Sequence, residues 1–218
     1  MMANTRAAAI RKAIDEQGVC VLPGLFGQNE IDAFCQEVHR LWNDQQERVP
    51  QNLRLGLRAD EQGATVIDRM DPVEDVSSVF FQLNRHVKVL DIMESIFGEA
   101  AIVMKEKLIF KRPGTQGFSV HRDDPYLCIS GVPGEKVLSI AIALDPANRG
   151  NGNIEFYPSL THAPLAADKQ EPRDIDRGAL DSCEVFSPEL KAGDAVIYNA
   201  LVPHQSGANL GKISRRTY

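Results

Sequence analysis

From Gln28 to about Gln46 the apolar residues Ile31, Phe34, Cys35, Val38, Leu41 and Trp42 recur at three- and four-residue spacing, which predicts an amphipathic helix with one buried stripe. His39 and the acidic side chains fall on the opposite face, where a solvated histidine is expected. Residues 5–16 also read as helix, and the β-rich run Gly18-Val19-Cys20-Val21-Leu22 after them is closed by Pro23-Gly24. The stretch 48–75 is polar and irregular. A further helix is predicted from about Val76 to Ile96, ending at Phe97-Gly98 with glycine in the usual C-cap place. His86 lies inside it without a companion ligand type one turn on and reads as a helix-surface residue.

Beyond Gly98 the helical period gives way to short strands. Ala101–Lys111, Phe118–His121, Val137–Leu144, Asn153–Tyr157, Cys183–Phe186 and Asp194–Asn199 are separated by Pro, Gly and Asn turns, the pattern of a sandwich or barrel. Helices first and strands after give an α+β, mainly β arrangement with N-terminal helices buttressing one face of a β core. The segment from about Ala163 to Asp181 is too polar for the core and too long for a tight hairpin, and is expected to form a lid or substrate loop.

Composition narrows the class. With 218 residues, 43% hydrophobic and 25% charged, the chain is globular, and disordered, collagen-like and coiled-coil classes are excluded. That length suits a single domain over 1–218, helical over about 1–98 and β over about 99–218. A net charge of −6 argues against a nucleic-acid partner, which needs a basic footprint, and the absence of a basic patch disfavours polyanionic ligands. Cys20, Cys35, Cys128 and Cys183 form no Cys-x-x-Cys pair, so buried thiols in a reducing cytosol are expected. No signal-peptide core and no apolar run of about 18 residues is present, so no membrane partner is expected. These readings give a cytoplasmic monomer or homodimer acting on a small-molecule substrate.

The candidate chemistry rests on two of the five histidines. His121-Arg122-Asp123 is a His-x-Asp at the end of a predicted strand, where residues i and i+2 point to the same side. His204 follows the apolar strand Ala195-Val196-Ile197-Tyr198-Asn199, and intervening strands of a barrel would return it to the same mouth. Two imidazoles and one carboxylate on one face of an octahedral ion leave three positions open, the arrangement that non-haem Fe(II) oxygenases use. Arg215 offers a guanidinium fork for a carboxylate. Strand alternation lets only one of Arg215 and Arg216 point inward, and the spacing favours Arg215.

Several further motifs occur in order: Gly18–Leu25, Leu108-Ile109-Phe110-Lys111-Arg112-Pro113-Gly114, Leu144-Asp145, Asn151-Gly152-Asn153-Ile154, Pro158-Ser159-Leu160-Thr161-His162, Lys191-Ala192-Gly193-Asp194 and His204-x-Ser206-x-x-Asn209. Over nearly its whole length the chain thereby resembles the phytanoyl-CoA dioxygenase (PhyH-like) family of Fe(II)/2-oxoglutarate-dependent oxygenases. Ser159 stands where that family usually has glycine. The resemblance implies a double-stranded β-helix (jelly-roll, cupin-like) core, Fe(II) held by His121, Asp123 and His204, and 2-oxoglutarate and O2 as co-substrates. Arg215 matches the arginine that pairs with the far carboxylate of 2-oxoglutarate, Ser206 a hydroxyl that assists it, and Lys107 a co-substrate-facing position. His162 matches a turn residue near the site and not a ligand.

The implied reaction oxidises an unactivated C–H bond of a small metabolite of secondary metabolism or catabolism, with release of succinate and CO2. Family members that halogenate have a small residue where Asp123 stands, so hydroxylation is expected here. Gln116, Asp124, Tyr126 and the 163–181 segment are candidate pocket contributors. Members of the family usually carry further segments beyond the arginine, so either residues following Tyr218 complete the pocket or the barrel closes without them. Two alternatives are a cupin-like metalloenzyme that does not use 2-oxoglutarate and a non-catalytic metal-binding or sensor domain of the same fold.

Overall fold

The structure, a computed structural model, describes residues 2–46, 54–127, 131–161, 175 and 180–218. His162, Cys128 and most of the 163–181 segment lie outside the described residues, as does the side chain of Tyr126. Helix α1 (Met2–Gln17) leads into strand β1 (Val19–Leu22) and helix α2 (Gln28–Gln46). The stripe read from the sequence is the one α2 buries: Ile31, Phe34, Val38 and Leu41 are inside, while His39 is exposed.

The helix expected over Val76–Ile96 is instead two, α3 (Ser78–Leu83) and α4 (Val87–Phe97). Their buried residues are Phe80 and Leu83, then Val89, Met93 and Ile96. The step from 83 to 89 would turn a continuous helix by about 240°, so no single stripe could hold both sets. His86 therefore does not lie on a helix face. Its imidazole caps α4 by accepting from the Lys88 N–H at 3.2 Å. Ser77 caps α3 through the Phe80 N–H.

The polar stretch 48–75 contains an unexpected hairpin, β2 (Leu55–Ala59) and β3 (Thr65–Met70), with a register irregularity at Gly56/Leu57. Of Ala101–Lys111 the final part alone is strand, β4 (Leu108–Lys111). β5 (Phe118–His121), a short helix α5 (Asp124–Leu127), β6 (Leu138–Ile142), β7 (Ile154–Phe156), β8 (Ala195–Asn199), β9 (His204–Ser206) and β10 (Arg215–Thr217) follow. Cys183–Phe186 contributes one isolated bridge, Phe186 to Phe156, and no strand.

All pairings are antiparallel, in the orders β1-β8-β6, β10-β4-β3-β2 and β5-β9-β7. Ile142 and Tyr218 exchange backbone hydrogen bonds at 2.6 and 3.0 Å, which joins the first two into one large sheet. Three of its strands thus come from the first 98 residues.

β8 shows how the layers stack. Ala195 and Ile197 face a core shared with Leu22, Phe34, Leu41, Met70, Phe80 and Leu108 under the helices. Val196 and Tyr198 point the other way, onto Phe156 and Val202 between the large sheet and the small one. Both faces are covered, which is why β8 is apolar up to its last residue, Asn199, and buried at every position. Each large side chain so buried contributes about 1.5–3 kcal/mol. The result is a jelly-roll sandwich with helices on the outer face of its large sheet. Among the described residues, no helix is long and apolar enough to cross a membrane.

Candidate metal centre

β9 runs down the middle of the small sheet, with His204 paired to His121 on one side and Phe156 on the other. Ser206 pairs with Phe118, so β5 spends three residues where β9 spends two, and the register shifts between Phe118 and His121. Residues three apart on a regular strand face opposite sides, so it is this irregularity that brings the His121 ring round beside that of His204. The two ring centroids are 4.4 Å apart.

Asp123 arrives by a different route from the one the strand period predicted. β5 ends at His121, and the chain turns where the N–H groups of Asp123 and Asp124 both donate to the Ala200 carbonyl, at 3.1 and 3.0 Å. That turn directs the Asp123 carboxylate at both rings, with its oxygens 3.8 Å from His121 Nε2 and from His204 Nε2. One ligand atom from each residue lies within 4.8 Å of the others.

The second nitrogen of each ring is already committed. His204 Nδ1 lies 3.1 Å from the Val202 carbonyl and His121 Nδ1 lies 2.7 Å from the Ser119 carbonyl. Carbonyl oxygens only accept, so each Nδ1 carries the proton and each Nε2 keeps its lone pair for an ion. Burial holds the His204 imidazole well below its usual pKa, with Asp123 partly opposing that shift. A neutral imidazole is the form that ligates. The donor set therefore fits a divalent first-row metal on chemistry and geometry alike.

Arg215 and Arg216 separate as alternation requires. Arg216 reaches the Asp145 carboxylate through Nε and Nη2, at 2.8 and 2.7 Å. Arg215 points inward, is 3% exposed, and donates to the Gly152 carbonyl at 2.7 Å and to Thr217 Oγ1. Burial pulls its pKa down to about 10, which Asp145 partly counters. Ser206 lies buried on the same side of β9 as His204.

The other expectations divide. Lys107 is open to solvent yet recessed among protein atoms, which hold its pKa down while the Asp123 charge pulls it up. The Asp124 carboxylate is taken by Arg122, at 2.8 Å to both Nε and Nη2. Gln116 exposes its side chain and turns its backbone carbonyl inward, toward Lys111 Nζ.

Lys111 is the residue that sequence reasoning passed over. It closes the apolar run Leu108-Ile109-Phe110 and is followed by Arg112, yet it is 2% exposed. Asn209 explains the rest of its motif: its amide donates to the carbonyls of Lys111 and Ile213, at 2.7 and 2.9 Å, and ties the loop before β10 to β4.

Against known proteins, a family model described as phytanoyl-CoA dioxygenase (PhyH) matches residues 14–217. A methylphosphonate hydroxylase from Gimesia maris is 33% identical over 62% of this chain and 50% of its own length. A 2-aminoethylphosphonate dioxygenase from an uncultured bacterium is 30% identical over 59% of this chain and 48% of its own. The chain thus spans about half the length of the curated relatives it matches. Among solved structures, EctD from S. alaskensis with 2-oxoglutarate and 5-hydroxyectoine superposes with a TM-score of 0.80 at 18% identity, covering 96% of this chain and 73% of that one. That likeness gives the fold.

Proposed function

This chain belongs to the phytanoyl-CoA dioxygenase family, and from that premise we propose that it is an Fe(II)- and 2-oxoglutarate-dependent oxygenase acting on a C–H bond of a small metabolite. The observation that carries this reading is the convergence of His121 Nε2, His204 Nε2 and the Asp123 carboxylate beside a sheet whose inner face presents the buried Arg215. His121, Asp123 and His204 would hold the iron on one face. When bound, it would couple O2 activation and oxidative decarboxylation of 2-oxoglutarate to oxidation of the substrate, leaving succinate and CO2.

The protein's own part is positioning. The Val202 and Ser119 carbonyls keep both imidazoles in the ligating tautomer. Gly152 and Thr217 aim the Arg215 guanidinium, which receives the far carboxylate of 2-oxoglutarate as a fork, with Ser206 beside it. Lys107, whose ammonium feels the Asp123 charge, is proposed to face the co-substrate from that side. With a carboxylate at position 123 no ligand position is vacated for a halide, so hydroxylation is the proposed outcome.

A small organophosphonate is the substrate class we favour. The relatives named for methylphosphonate and 2-aminoethylphosphonate support it.

The test is succinate formation and O2 consumption with Fe(II), 2-oxoglutarate and a panel containing both phosphonates, ectoine and unrelated metabolites. Substrate-stimulated succinate that disappears in Asp123→Ala is expected. Undiminished turnover in that variant would overturn the assignment.

A further inference from the structure

β5 departs from regular pairing at one place, and that place decides where the His121 ring points. Antiparallel partners keep a constant sum of residue numbers, so a regular register through His121 and His204 would set Ser119 opposite Ser206, where Phe118 stands instead. A regular register from Phe118 would bring Val120 opposite His204 and turn His121 to the other face of the sheet. The irregularity therefore persists only while both ends of β5 are held. Its far end is fixed by the Asp123 and Asp124 N–H groups on the Ala200 carbonyl, at 3.1 and 3.0 Å.

The near end is gripped from the β2–β3 hairpin. Arg58 Nη1 donates to the Gly117 carbonyl at 2.9 Å and to the Gln116 carbonyl at 3.3 Å, and its guanidinium lies over the Phe118 ring, 3.9 Å from the centroid. Asp68, 4% exposed, aims this group: one carboxylate oxygen accepts from Arg58 Nε at 3.1 Å and the other from Arg69 Nη1 at 3.2 Å. A planar fork can bond an acid and a carbonyl and stack on a ring at the same time, which an ammonium cannot. Lys111 Nζ also donates to the Gln116 carbonyl, at 3.1 Å. Glycine at 117 lets the gripped segment press against β9, because a Cβ there would collide with the Ser206 carbonyl oxygen.

We propose that Arg58 is a positioning residue for the metal centre: by pinning residues 116–118 it preserves the irregular register of β5 and with it the direction of His121 Nε2. The proposal rests on the reading of His121, Asp123 and His204 as metal ligands. The Ser119 carbonyl that holds His121 Nδ1, at 2.7 Å, lies inside the irregular stretch. Release of the near end lets β5 relax toward a regular strand, which rises about 3.3 Å per residue and carries that carbonyl away from the ring. His121 then loses both its aim and the bond that fixes its tautomer.

Co(II) titration followed by optical absorption, with long-range proton–nitrogen spectra of the histidines in the metal-free protein, tests this. Arg58→Met should lower Co(II) affinity about tenfold or more, the scale of losing an outer partner of a ligating histidine, and shift the ligand-field bands. In the metal-free variant the His121 ring should pass from the Nδ1–H form to a mixture with the Nε2–H form. Arg54→Met is the control, because Arg54 ties the start of the same hairpin to the Pro72 carbonyl and to Asp75, both at 2.6 Å. Its Co(II) affinity should stay within about twofold and its His121 tautomer unchanged, whatever stability it loses. Arg58→Lys, which keeps a positive charge beside Asp68 but not the fork, supplies the same comparison if the methionine variant does not fold. Unchanged Co(II) affinity in the Arg58 variant, or equal losses in the Arg54 and Arg58 variants, would overturn the proposal alone. A wild-type protein that does not bind Co(II) would overturn the reading of the metal centre and the proposal with it.

Discussion

Arg215 and Arg216 are neighbours on one strand and live in opposite worlds. On the outer face Arg216 meets Asp145 through both its side chain and its backbone N–H, and beside the pair Cys35 of α2 donates to the Leu144 carbonyl at 3.8 Å. On the inner face Arg215 and Lys111 are more deeply buried, and among the described residues no carboxylate lies within ion-pair distance of either. The same contrast runs along β4, where Leu108 and Phe110 fill the core under the helices while Lys111 faces inward. The outer face is complete as it stands and supplies stability. The inner face brings together the two imidazole Nε2 atoms, the Asp123 carboxylate and the buried cations on which the proposed metal and anion seats rest.

If that division is right, substitutions on the two faces should have opposite signatures. The largest effect is expected for His204→Ala, which should remove metal binding and substrate-dependent succinate formation while leaving the fold intact, as read by metal titration and circular dichroism. Phe80→Ala, at the centre of the outer core and fully buried, should cost about 3–5 kcal/mol in denaturant unfolding and leave the affinity of the folded protein for 2-oxoglutarate unchanged.

The paired arginines sharpen the comparison further. Arg215→Met should weaken 2-oxoglutarate binding about tenfold to a hundredfold with little loss of stability. Arg216→Met should do the reverse, losing about 1 kcal/mol of stability with unaltered binding. A variant pair with matching signatures would erase the distinction between the faces.

The smallest effect concerns pH. Burial, with the charges of Arg215 and Arg58, brings the Lys111 ammonium down to about 8, against a weaker upward pull from Asp68. An incoming carboxylate favours the charged form, so 2-oxoglutarate affinity should be flat below about pH 8 and decline as pH rises through it. Stability without ligand should move the other way: between about pH 8 and the ordinary lysine range the unfolded chain binds the extra proton, so the folded state gains. Both trends should flatten in Lys111→Met.

The helices and strands with one buried face were legible because each follows a single period, as α2 does. Two of the departures came where tertiary contacts override that period. The break between α3 and α4 answers a change of buried stripe at His86, and the β2–β3 hairpin is polar because its inner face carries Arg58, Asp68 and Arg69 where an apolar alternation would have announced it. At the site, residue types and order pointed to His121, Asp123 and His204, but not how they meet. The shifted register of β5 against β9 and the Ala200 carbonyl that turns the chain are both backbone events with no side-chain signature. Lys111 was hidden for another reason: its role depends on which strand lies beside β4, and its partner Arg215 stands at the far end of the chain.

The most direct test of the central claim is the equilibrium binding of 2-oxoglutarate under anaerobic conditions, measured with and without Fe(II). A single site whose affinity rises sharply when the metal is present, and loses that dependence in His204→Ala, is the expected result, since on this account the keto acid end of 2-oxoglutarate would meet the metal while its far carboxylate meets Arg215. Binding that is absent, or that is indifferent to the metal, would contradict the account.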